Sequence, residues 1–194
     1  ICWECQIPNA VGVLCPENGQ VRQVKRVSLR NRPTLTIVLI AVNVAFFLLD
    51  MASSYWLRSQ FIYAPAITEF EPWRMITAGF IHSSFLHVGL NMYSLYIFGS
   101  ALEPALGKLR FATVYFLAIL GGSVVVLLLD SPDSMVLGAS GGIFGLMGAY
   151  FVVLRSLGEN SSQMMGLIAI NLVMGFLPGL SISWQAHVGG LVVG

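Results

Sequence analysis

The chain has 194 residues, of which 56% are hydrophobic and 10% charged, and its mean hydropathy is +0.79. A soluble domain is about 45–50% apolar and about 25% charged, so this composition excludes an ordinary soluble globule and, equally, a disordered tail poor in apolar residues. A formal net charge of +1 offers no basic field for nucleic acid; what remains is a small, all-α integral membrane protein.

Two regions follow from the charge pattern: a polar N-terminal segment, 1–32, and a membrane region, 33–194. The first contains Cys2, Cys5 and Cys15, in the spacing Cys-x2-Cys-x9-Cys-Pro. That looks like half of a small zinc module, since structural zinc takes four Cys or His ligands. A second Cys-x2-Cys pair would need cysteine at 18, where Asn18 stands. The expectation is zinc binding by a longer protein with further ligands upstream. The chain opens at Ile1 and its last apolar run stops at Gly194, so both ends read as truncated.

Apolar stretches then run at about 34–50, 84–102, 111–129, 136–154, 163–180 and 183–194. A span needs about 20 apolar residues. Five stretches reach or approach that length, and the sixth reads as a span cut short. No signal peptide precedes the first, because a polar segment comes before it. Lys and Arg orient the set. Arg22, Lys25, Arg26, Arg30, Arg32, Lys108, Arg110 and Arg155 fall on one side, and only Arg58 and Arg74 on the other. The N-terminus is therefore expected in the cytoplasm. The outer connection, 51–83, is long, and it mixes Trp56, Phe61, Tyr63, Phe70 and Trp73 with a few charges. It suits either the membrane interface or an ordinary packed loop.

Polar side chains within spans are costly and therefore candidate functional residues. His87 and Asn91 lie in the second span, Ser140 in the fourth and His187 in the sixth. Asn43 and Asn171 are lone amides, assigned to interhelical hydrogen bonding. At 1.5 Å per residue, Ser140 stands roughly 22 Å above Arg155, while His87 and Asn91 stand roughly 24 and 18 Å above Glu103. His187 lies near the outer start of its span. Three helices thus place their polar groups in the outer third. His87 and Asn91, four apart, share a helix face. Ser140 is flanked by Gly138, Gly141, Gly142, Gly145 and Gly148, and Gly190 and Gly194 follow His187. Small residues let helices approach closely, which would bring Ser140 to His187. A serine is a weak nucleophile until a base takes its proton, and histidine is the usual base. Singly, each feature has a plainer reading, as helix packing or hydrogen bonding within a helix; as a set they point to a Ser-His dyad. Asp50 ends the first span, but nothing in the sequence brings it to the dyad.

These residues resemble the rhomboid family of intramembrane serine proteases over about 35–194. The motifs are Trp73-Arg74, His82-x4-His87-x3-Asn91-Met92, Gly138-Ala139-Ser140-Gly141 and Ala186-His187-x2-Gly190-x3-Gly194. The resemblance implies a six-span helical bundle that cleaves transmembrane segments of other proteins, with no cofactor for catalysis. Ser140 would be the nucleophile and His187 the base. Asn91, His87 and the Ser140 N–H would form the oxyanion hole. His82 would lie at or behind the cavity, and Trp73, Arg74 and Glu103 would be structural. A Cys-rich cytoplasmic segment resembles some bacterial members, implying a plasma-membrane protein with its site opening outward. Many members carry tyrosine four residues after the serine, stacked on the histidine; here it is Phe144. The alternative of an inactive relative that binds membrane clients would most simply have lost Ser140 or His187. A transporter would carry intramembrane carboxylates or repeat symmetry, and neither is seen.

Overall fold

Long apolar runs in a bilayer satisfy their backbone groups internally, as helices. The computed structural model describes residues 7–9, 12–14, 33–176 and 182–194. Two units are distinguished, Ile1–Arg30 and Asn31–Gly194. In the first, strands β1 (Ile7–Asn9) and β2 (Gly12–Leu14) pair antiparallel, with Ile7 opposite Leu14 and Asn9 opposite Gly12. Strands of three residues are too short for a readable alternation, and this ladder is an addition to the all-α expectation. Cys2, Cys5 and Cys15, and the zinc expectation with them, lie outside the described residues.

The second unit is helical: α1 (Thr34–Ala52), α2 (Trp56–Phe61), α3 (Arg74–Thr77), α4 (Phe85–Leu106), α5 (Lys108–Leu129), α6 (Ser140–Ser156), α7 (Ser162–Met174) and α8 (Trp184–Val193). By length and composition, α1 and α5 can each cross a membrane. The fifth apolar stretch is helical to Met174, and 177–180 lie outside the described residues. The closest packing joins α5, α6 and α8, while α1 lies against α4 and α7 touches α6 and α8 lightly. Leu39, Phe47, Leu95, Leu102, Phe111 and Leu146 form part of the buried core.

Glycine sets the α6–α8 spacing. A Cβ at Gly190 would collide with the Gly141 backbone, and one at Gly194 with that of Gly145. The two Gly-x-x-x-Gly faces therefore meet main chain to main chain, as small residues at helical spacing permit.

The start of α1 solves a different problem. Its N-cap, Pro33, offers no capping side chain, and the first N–H groups of a helix lack internal acceptors. Glu103, near the end of α4 and 3% exposed, accepts from Leu35 N (2.9 Å), Thr36 N (2.7 Å) and Thr36 Oγ1 (2.8 Å). A carboxylate is also the favourable charge at a helix N-terminus. The structural assignment of Glu103 thus has a specific content: it caps a neighbouring helix.

The 51–83 connection is ordered into α2, α3 and two 3-10 turns, Pro65–Ile67 and Ala78–Phe80. Buried Arg74 pairs with Glu71 and donates to the Ser59 (2.7 Å) and Ile62 (3.2 Å) carbonyls, closing the connection on itself. Ser123 Oγ on α5 donates to Met75 O at 2.7 Å and ties α3 to the bundle. Trp73, expected to help hold this connection, is 54% exposed. Asn171 departs from expectation: it donates to Leu167 O of its own helix at 2.8 Å. Asn43 donates to Leu39 O at 2.8 Å, and its side chain also lies against the Tyr115 hydroxyl of α5. The i−4 carbonyl is the nearest acceptor for a short polar side chain in a helix.

Two substitutions test these contacts by unfolding in detergent micelles. Glu103→Ala leaves three donors unmet and lowers stability by about 3 kcal/mol, with Glu103→Gln intermediate. Gly190→Val forces α6 and α8 apart and costs about 1–3 kcal/mol.

Candidate active site

Residues 136–139 belong to the fourth apolar stretch but are not helical. Val136 instead forms a two-way backbone bridge with buried Tyr63, at 2.8 and 3.1 Å. Gly138 then turns with φ +115°, where L side chains are strained, and a Cβ there would strike the His87 ring. The helix begins at Ser140, so this serine sits at the helix N-terminus rather than one turn inside a span. The sequence concealed this start because Met135, Val136 and Leu137 run straight into the helix as one apolar stretch.

Ser183 caps α8 by accepting from Ala186 N at 3.3 Å. The first turn of α8 then presents His187 to α6, where its Nε2 lies 2.9 Å from Ser140 Oγ. Phe144, one turn beyond Ser140, stacks on the imidazole with centroids 4.2 Å apart and planes 16° apart. His187 Nδ1 is buried and has no hydrogen-bond partner among the described residues. Asp50 is not that partner: its carboxylate accepts from Arg58 N at 2.7 Å and Arg58 Nε at 3.2 Å.

The start of α4 supplies the other polar groups. Ser84 is its N-cap, accepting from His87 N at 3.2 Å. A serine ahead of an apolar run is a readable N-cap signal, although the sequence reading did not use it. His87 Nδ1 is 3.0 Å from Ser83 Oγ and 3.4 Å from Ser83 N. A backbone N–H only donates, so Nδ1 is the acceptor and the ring proton sits on Nε2. Asn91 donates one Nδ2 hydrogen to His87 O at 2.9 Å, and its second has no partner among the described residues. His82 is fully buried and meets His87 edge to face at 5.0 Å. Its Nε2 accepts a long bond, 3.5 Å, from Ala139 N.

Ser140, His187, His87, Asn91 and Phe144 line one cavity of about 520 Å³, closed on one side by Leu167, Asn171 and Met174 of α7. The arrangement combines a hydroxyl, a base within hydrogen-bond reach and N–H donors around the same space. Of the other residues singled out from the sequence, Gly138 and Gly141 also line the cavity; Gly190 and Gly194 set the helix spacing, and Trp73, Arg74 and Glu103 stand away from it.

Fold and site together describe a helical membrane protein with a serine paired to a histidine. The family model described as the Rhomboid domain matches residues 69–194. RHOMBOID-like protein 5 of Arabidopsis thaliana is 41% identical over 136 residues, covering 66% of this chain and 43% of its own length. The rhomboid-family YdcA protein of Bacillus subtilis is 35% identical over 174 residues, 86% of this chain and 87% of its own. Rhomboid protease GluP of the same organism is 32% identical over 177 residues, 84% of this chain and 34% of its own. The chain belongs to the rhomboid family and is an integral membrane protein. It spans about two fifths of the length of the Arabidopsis relatives, 43% of RHOMBOID-like protein 5 and 42% of RHOMBOID-like protein 6.

With no acid on Nδ1 among the described residues, stacking by Phe144 and the contact with Ser140 hold the His187 ring. On the reading of Ser140 and His187 as a hydrolytic pair, Phe144→Ala is expected to slow turnover by about a hundredfold, the scale of a misplaced reacting group. Phe144→Tyr keeps the stacked ring and is expected to stay within a few-fold of wild type. Steady-state cleavage of a transmembrane reporter compares the three.

Proposed function

We propose that this chain is an intramembrane serine endopeptidase, hydrolysing peptide bonds in or near transmembrane segments of other membrane proteins. The observation that carries the reading is the 2.9 Å contact between Ser140 Oγ and His187 Nε2, at a cavity edged by N–H donors. Ser140 Oγ attacks the scissile carbonyl carbon while its proton passes to His187 Nε2. The carbonyl oxygen becomes an oxyanion. It is stabilised by the Ser140 N–H, the free hydrogen of Asn91 and His87 Nε2–H, helped by the positive end of the α6 dipole. Collapse expels the amine, which takes the proton from His187 and leaves a serine ester. Water, deprotonated by His187, then attacks that ester; the acyl–oxygen bond breaks, His187 returns the proton to Ser140 Oγ, and the acid product leaves.

The basic residues support an orientation with the N-terminus in the cytoplasm and the cavity toward the outer side. A cavity at that end receives water from the aqueous phase while the rest of the bundle stays in lipid. A substrate entering it must leave its helical hydrogen bonding, which favours segments carrying small or helix-breaking residues.

Proteoliposomes holding the protein and such a substrate test the proposal. Cleavage near the outer face is expected, falling at least about a thousandfold in Ser140→Ala and in His187→Ala. Asn91→Ala is expected to lower kcat by about a hundredfold with little change in KM. Undiminished cleavage in Ser140→Ala would overturn the mechanism. Binding without cleavage by the wild type would favour a client-binding relative.

A further inference from the structure

One buried ion pair takes no part in these steps. Asp50, at the end of α1, is 1% exposed. Arg58 of α2 meets it through its backbone N–H and Nε, with a terminal guanidinium nitrogen 3.2 Å from the same carboxylate. That nitrogen also donates to the His82 carbonyl at 2.9 Å. A buried carboxylate demands a partner, but neutralising Asp50 does not require a bond to His82.

The His82 peptide is a junction. The His82 ring receives the N–H of Ala139, immediately before Ser140. The next residue, Ser83, holds Nδ1 of His87 from both its hydroxyl and its backbone. The position of one carbonyl therefore bears on both the start of α6 and the orientation of the His87 ring. The planar fork of arginine can engage a carboxylate and a second acceptor together, whereas an ammonium is a point donor.

We propose that Arg58, oriented by Asp50, is a positioning residue for the active site: it anchors the His82–Ser83 peptide and thereby aims His87 Nε2 and sets the register of Ser140. This rests on the endopeptidase reading for the roles of Ser140 and His87. Ion pairing alone, as a brace between α1 and α2, predicts something different. A lysine at 58 keeps the charge, the pairing with Asp50 and the backbone N–H, but loses the bridge to His82.

The test compares wild type, Arg58→Lys and Arg58→Ala of the whole chain in proteoliposomes. Arg58→Lys is expected to unfold near the wild-type temperature, with kcat about tenfold lower and KM within about twofold. Arg58→Ala is expected to lose both turnover and stability. The chain has three histidines, His82, His87 and His187, so ¹⁵N-histidine labelling gives a second readout. In Arg58→Lys the His82 and His87 ring signals should shift, and that of His187 should follow through its contact with Ser140. Wild-type kcat in Arg58→Lys with unmoved His82 and His87 signals would overturn the proposal, as would losses of kcat that track only the loss of stability. Should the wild type cleave nothing, the endopeptidase reading fails by itself, and the histidine signals still decide whether Arg58 sets these two rings.

Discussion

The pairing of Ser140 with His187 depends on two helices touching at their backbones. In lipid, burying apolar side chains between helices gains little, because the tails outside are equally apolar. Close approach gains dispersion contacts instead, and only glycine allows it here. Gly190 lies on Gly141 and Gly194 on Gly145, so α8 descends along α6 with no side chain between them. The same approach continues across α5, where a Cβ at Gly122 would meet the Ala186 carbonyl and one at Gly189 the Gly121 carbonyl. His187 and Ser140 stand at the end of this seam, and their 2.9 Å separation is set by it.

Around the seam, polar groups divide into two kinds by how fully they are satisfied. Glu103 takes three donors, Arg74 reaches a carboxylate and two carbonyls, and Asp50 is met by Arg58. These charges are paired, as desolvated charges must be, and they brace helix ends and the 51–83 connection. The cavity groups hold something in reserve. Asn91 uses one of its two amide hydrogens, His87 presents Nε2–H, and Ser140 opens a helix whose first N–H groups lack intrahelical acceptors. Unspent donors in a site of low polarity cost folding energy, and they interact strongly with any charge that later forms among them.

Much of this was legible in the sequence, for identifiable reasons. A polar residue in an apolar span stands out, so Ser140, His187, His87 and Asn91 could be named and grouped by helical arithmetic. Glycine at four-residue spacing announced the α6–α8 contact. Other features had no such contrast. The true start of α6 is hidden because Val136 and Leu137 are as apolar as the helix that follows, and only the bridge to Tyr63 makes them extended. Asn171 looks like an interhelical bridge by cost alone, yet it finds a cheaper acceptor one turn back on its own helix. Trp73 sits beside the buried Arg74 but faces outward; adjacency in sequence says nothing about which neighbour is buried. Arg58 reads as one of two outer charges, and its reach to the His82 carbonyl is a tertiary fact that no spacing encodes.

The absence of an acid on His187 Nδ1 among the described residues gives this site a particular character. In a triad the carboxylate both orients the imidazole and stabilises its protonated form. Phe144 accomplishes only the first, by stacking, although the negative face of an aromatic ring adds a modest attraction for a cation. A base held by stacking is oriented in its plane but gains little basicity. On the proposed endopeptidase reading, activation of Ser140 leans on its surroundings: the positive end of α6, and donors that stabilise the oxyanion as the bond forms. That shifts the burden of catalysis from the base to the precision of the donors. On the same reading, the precision of the donors rests on the His82–Ser83 turn, which touches neither Ser140 Oγ nor His187: Arg58 holds its carbonyl, Ala139 its ring and His87 its serine.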